Sequence, residues 1–170
     1  MNQSIPKNET KKQKRGVISI SRYFTESDAN VALNGTIPFN TVSIPCNKGY
    51  VCPLATGVLT LKGGNTNGFA RYSVDLQGNA SIPTGGAVTP IAVAITINGT
   101  VVPDSVAIQT PTAVGDVWHF NTGTVITVPN GCCVSVSAVY ADGTEDDAAV
   151  VPTPSITVRR FASLTVKREA

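Results

Sequence analysis

PIAVAITINGTVV, residues 90–102, carries the clearest fold signal in the chain. Ile91, Val93, Ile95 and Ile97 recur at every second position, the period of a strand with one face buried. Asn98-Gly99 follows at once, and that pair accepts the positive φ values of a two-residue hairpin turn. The stretch therefore predicts a strand, a tight turn and the start of a second strand.

The same pattern repeats outward in both directions. GVLTLK (57–62) sets Leu59 and Leu61 on one face and runs into GGNTNG, which reads as a connector. RYSVDLQG (71–78) alternates Tyr72, Val74 and Leu76 with Ser73, Asp75 and Gln77. TVITVP (124–129) leads through Asn130-Gly131 to CCVSVSAVY (132–140), where Val134, Val136, Ala138 and Tyr140 align. SITVRRFASLTVK (155–167) aligns Ile156, Val158, Ala162, Leu164 and Val166; Arg160 breaks that set and predicts a bulge or a partner carboxylate. Near the start, VISISRYF (17–24) places Ile18, Ile20 and Phe24 on one side, as a first strand or an extended peptide on a neighbour.

Composition agrees with the pattern. Valine, threonine and isoleucine supply 54 of 170 residues. Their branched side chains are stiff in a helix and suit a pleated, half-buried surface. No window reads as a long amphipathic helix, and the length suits one domain. About eight strands are expected, best arranged as an all-β, antiparallel two-sheet jelly-roll sandwich. An immunoglobulin-like sandwich is the second choice, and its separated Cys…Trp…Cys pattern is absent. Residues 1–29 read as a basic arm with a joining strand, and residues 30–170 as the jelly-roll domain.

Charge is unevenly spread behind a net +2. The arm holds Lys7, Lys11, Lys12, Lys14 and Arg15 against Glu9, whereas the body from Tyr23 to Val158 is acidic. The arm has few large apolar side chains to offset its ordering entropy. It also lacks the apolar region of a signal peptide, and no run is long enough to span a bilayer, so synthesis in the cytoplasm is expected. In that setting Cys46, Cys52, Cys132 and Cys133 are expected to be buried thiols.

Few groups could carry chemistry. His119, beside Trp118, is the only histidine, too few for a triad or a His-based metal site. The cysteine spacings do not match a zinc ribbon or knuckle. DGTEDD (142–147) gathers Asp142, Glu145, Asp146 and Asp147, but not in the order of a calcium loop. No glycine-rich phosphate loop ends in GK[ST]. The Lys/Arg cluster lacks interleaved aromatics, which favours docking on an acidic protein surface over nucleic acid. No cofactor, metal or catalytic residue is expected.

The order VALNGTIPFNTVSI (31–44), TGVLTLKGG (56–64), RYSVDL (71–76), VAITINGTVVPDSVA (93–107), TVITVPNGCCVSVSAVY (124–140) and SLTVKR (163–168) resembles one group of proteins. These are phage and prophage structural proteins with a tumour-necrosis-factor-like jelly roll, of the head-fibre and capsid-decoration type. The resemblance implies a TNF-like homotrimer on a virion surface, with outer loops that reach host surface or glycan, and supplies no catalytic residues. The resemblance does not extend to the arm; from its charge and its joining strand, Lys7, Lys11, Lys12, Lys14, Arg15, Ile18, Ile20 and Phe24 are the expected capsid-anchoring residues. The alternative is a carbohydrate- or receptor-binding module of a tail fibre or a bacterial or spore surface. Trp118, Tyr72 and Tyr140 are the aromatics such a module would offer, and at least two of them read as buried, which favours the structural reading; a glycan array separates the two.

Overall fold

The structure is a computed structural model that describes residues 19–46, 50–55, 57–64, 68–143 and 151–169, without the side chains of Cys52, Leu54 and Ala55. Two antiparallel sheets face each other across one apolar core. The centre of the first sheet is β6 (Phe69–Ser81), paired along its whole length with β10 (Trp118–Pro129). On its other side β6 pairs with β13 (Ser163–Glu169) and then, further along, with β12 (Ser155–Val158). Next to β13 lie β1 (Ser19–Phe24) and the edge strand β3 (Thr41–Ile44), while β2 (Ala29–Ala32) pairs with β12.

The second sheet runs β4 (Val51–Ala55), β5 (Val58–Lys62), β11 (Cys133–Asp142), β7 (Ile91–Ile97) and β8 (Thr100–Val101). The short β9 (Ala107–Gln109) continues the β7 edge after a 3-10 turn at Pro103–Ser105. Thirteen strands are thus present among the described residues, against about eight expected. The surplus consists of short pieces whose two to five residues show too little alternation to be read.

The expected inward positions are buried. Tyr72, Val74, Leu76, Ile91, Val93, Ile95, Val136, Ala138, Tyr140, Ile156, Val158, Ala162, Leu164 and Val166 all have 0% exposure. Each large side chain taken fully out of water contributes roughly 1.5–3 kcal/mol before its ordering cost. Gly78 is a close approach inside the core: a Cβ there would lie 2.6 Å from Ala162 Cβ and 2.7 Å from Phe120 Cζ. The Asn98-Gly99 hairpin is present, with φ of 52° and 82°.

Two parts of the pattern are refined, and one expectation, that Cys132 and Cys133 are buried, is corrected. Residues 155–167 form two strands, and Arg160 sits in the turn between them instead of in a bulge. The apolar Ile20 and Phe24 share a face, but the core takes Ser21 and Tyr23 from β1; Ile20 is 42% exposed. Cys132 and Cys133 are exposed, because the turn between β10 and β11 crosses from one sheet to the other at the surface.

Candidate functional site

The strand pairings give the sandwich two distinct ends. At the first, Ser19 pairs with Arg168, Phe69 with Pro129 and Lys62 with Cys133. The chain N-terminal to β1 joins the sandwich here. At the second, Phe24 pairs with Ser163, Trp118 with Ala80 and Asp142 with Ile91.

The first end is cationic. Lys62, Arg71, Lys167 and Arg168 gather there, against Glu169. Arg168 occupies a core-facing register after Leu164 and Val166, yet its guanidinium carbon lies 3.7 Å from the centre of the Tyr50 ring. A charge at the mouth of the core is tolerated because the ring face receives it and one edge stays wet. A side chain at Gly64 would come 2.9 Å from that guanidinium, so glycine leaves it room. Below it, the Tyr72 hydroxyl donates to the Lys62 and Tyr50 carbonyls, and burial raises its pKa despite the nearby Arg168. Cys46 Sγ accepts the Val51 amide at 3.2 Å, which ties the segment after β3 to β4.

At the second end a four-residue turn, Arg159 to Ala162, joins β12 to β13. Phe161 stands there at φ 69°, a left-handed conformation rare for a bulky residue. Three contacts impose it. Phe161 N–H donates to the Thr25 carbonyl at 2.8 Å, Thr25 N–H donates to the Ala162 carbonyl at 2.9 Å, and the Thr25 hydroxyl donates to the Arg159 carbonyl at 3.3 Å. Asp28 supplies the carboxylate expected near Arg160, but divides it. One oxygen accepts the Arg160 backbone N–H at 2.8 Å and the other pairs with the Arg159 guanidinium at 2.9 Å. The Arg160 backbone hydrogen bond, then the Arg159 side chain, hold the Asp28 carboxyl below its ordinary pKa.

The Phe161 ring is 65% exposed. The Phe24 ring lies 6.3 Å away, and the Arg160 guanidinium carbon sits 5.3 Å from the Phe161 centroid. Across β1 from Phe161, Phe24 is paired with Thr41, whose hydroxyl is within 3.3 Å of Glu26 Oε2 and 3.4 Å of Asn40 Oδ1. Asn40 Oδ1 also accepts the Glu26 amide at 3.3 Å. Two aromatic rings thus lie between one arginine and a carboxylate–amide–hydroxyl group.

Of the residues singled out from sequence, Ile20 and Phe24 lie together on the outer face of the first sheet, with Ile44 beside Arg22 on the same face. Lys7, Lys11, Lys12, Lys14, Arg15 and Ile18 fall outside the described residues, as do Glu145, Asp146 and Asp147. His119 is exposed on β10, with Nδ1 3.1 Å from Asn79 Oδ1. Among the described residues, no group of three or more His, Cys, Asp or Glu side chains gathers. Trp118, Tyr72 and Tyr140, at least two of them expected to be buried, are all buried: Trp118 packs on Phe120, and the Tyr140 hydroxyl donates to the Thr153 carbonyl at 2.7 Å, burial pushing its pKa to about 12. Phe161 was missed, although its odd position in an even-numbered apolar register marks it as an outward aromatic.

No protein-family model and no curated protein matches the chain. Among solved structures, Eiger TNF from S. frugiperda superposes with a TM-score of 0.52 at 8% identity, over 91% of this chain and 92% of that one. The crystal structure of pika GITRL gives 0.47 at 12% identity, over 90% and 96%. At these identities the likeness is one of fold, and the two-sheet sandwich described above is a TNF-like jelly roll.

Proposed function

We propose that this chain is a non-catalytic structural protein of a bacteriophage particle, a head-fibre or capsid-decoration protein that displays a trimeric jelly roll. The observation that carries the reading is the polarity of the molecule. The basic arm enters at the end that already holds Lys62, Arg71, Lys167 and Arg168. At the opposite end Glu26, Asp28, Asp116 and Asp142 outnumber Arg159 and Arg160. A protein with separated charge turns its cationic end toward an acidic surface before contact is made. Lys7, Lys11, Lys12, Lys14 and Arg15 then neutralise acidic groups on the capsid, while Ile18 and Ile20 supply apolar area; Phe24, at the far end of β1, is left out of this contact.

The trimer is part of the same proposal. The outer face of the first sheet places small and polar groups, Ser73, Gly123, Thr165 and Ser163, between the exposed Ile20, Val125 and Phe69. Such a face can approach a second copy closely.

Deleting residues 2–16 tests the anchoring reading. The truncated protein should remain a folded oligomer of unchanged subunit number by light scattering, and should no longer co-sediment with particles. Normal decoration by the truncated protein would refute anchoring by the arm. A monomeric full-length protein would refute the trimer.

A further inference from the structure

We infer that the Phe161 turn is a carbohydrate-binding platform. The turn is built against the preference of its central residue. Glycine would take φ 69° without strain, yet the position holds phenylalanine, and Thr25 and Asp28 of the β1–β2 connector hold the turn there. Strain kept in place by surrounding contacts is found at sites where the strained group acts. The held group is an aromatic ring facing solvent, so its role lies in what it meets outside the chain.

The chemistry around the ring selects the ligand. The apolar C–H face of a sugar ring packs on the electron-rich face of an aromatic ring. Sugar hydroxyls need planar polar groups beside it: Arg160 as donor, the Glu26 carboxylate as acceptor, and Asn40 and Thr41 as both. A stable protein interface needs roughly 800 Å² per partner around an apolar centre. Two rings bounded closely by Glu26, Asn40, Thr41 and Arg160 do not form such a centre. Position agrees, since the turn is at the end away from the arm; this part of the argument rests on the anchoring reading. Attached by its arm, the protein would present Phe161 outward.

The test uses the full chain on an array of immobilised bacterial polysaccharides and mammalian glycans, with Phe161→Gly, a Glu26→Gln/Asn40→Ala double variant and Thr100→Ala. Phe161→Gly suits the backbone, so loss of binding is not loss of fold. The wild type should bind a subset of the glycans. Phe161→Gly should bind these at least tenfold more weakly, the double variant should bind them more weakly or with altered selectivity, and Thr100→Ala, in the exposed Asn98-Gly99 hairpin of the other sheet, should match the wild type. A wild type that binds no glycan overturns the inference, as does undiminished binding by Phe161→Gly. A changed oligomeric mass in Phe161→Gly also overturns it, because the ring then serves a protein contact. Co-sedimentation of Phe161→Gly with particles is measured in parallel and should be normal, so failure here leaves the anchoring test separate.

Discussion

Phe161 and Asp28 divide the work of one turn. A left-handed backbone costs a bulky L-residue about 1–2 kcal/mol. The Phe24 contact returns about 0.5–1.5 kcal/mol of that. Replacing Phe161 by glycine removes both terms, and chemical denaturation should find the variant within about 1 kcal/mol of the wild type. Asp28 behaves differently, because its contacts are stronger with the carboxylate ionised. Its pKa is lower folded than unfolded, so the stability it contributes is present above the unfolded value, near 3.8, and is lost as pH falls through the folded value. Asp28→Asn should therefore lower the thermal midpoint at pH 7, and the gap from wild type should close as pH drops below about 4. A gap independent of pH would mean that Asp28 acts through shape alone.

At the scale of elements, the edge of β7 is joined by a side chain. Between β8 and β9 no strand continues the ladder, and the Ser105 hydroxyl fills the gap. It accepts the Ile95 amide at 3.0 Å and lies 2.7 Å from the Val102 carbonyl and 3.2 Å from that of Ile95, with no exposure. Ser105→Ala leaves the Ile95 amide buried without a partner, at a cost of about 1–3 kcal/mol in denaturant unfolding. The long strands beside this joint were legible from alternation, since β6, β7, β11 and β13 each turn their large apolar residues to one face, although β7 also buries the small Ala92, Ala94 and Thr96 on its other face. The Arg159–Ala162 turn was not. Four turn residues preserve the parity of the register, so Ile156, Val158, Ala162 and Leu164 read as one strand. The interior of β10 was hidden as well, because Thr122 and Thr124 stand at its inward positions and interrupt the apolar signal; Thr124 instead bonds Asp104. The arm was legible as a charge cluster, whereas the Phe161 platform depends on Thr25, Asp28 and Phe24 meeting a segment more than 130 residues away.

Taken whole, the molecule is a short rod with unlike ends. Charge separation orients such a rod only near its target, since screening limits the field to about 8–10 Å at physiological salt. The crossing from β10 to β11 adds a chemical handle to one end. Cys132 and Cys133 put two exposed thiols on the rim where the arm begins, within reach of a small alkylating reagent. On free protein both should label readily. On particles, labelling at these two should slow several-fold, while a thiol introduced by Thr84→Cys at the opposite rim keeps its rate. Mass spectrometry of the alkylated peptides would then read the direction in which the rod stands, and equal rates at both rims would mean that it lies on its side.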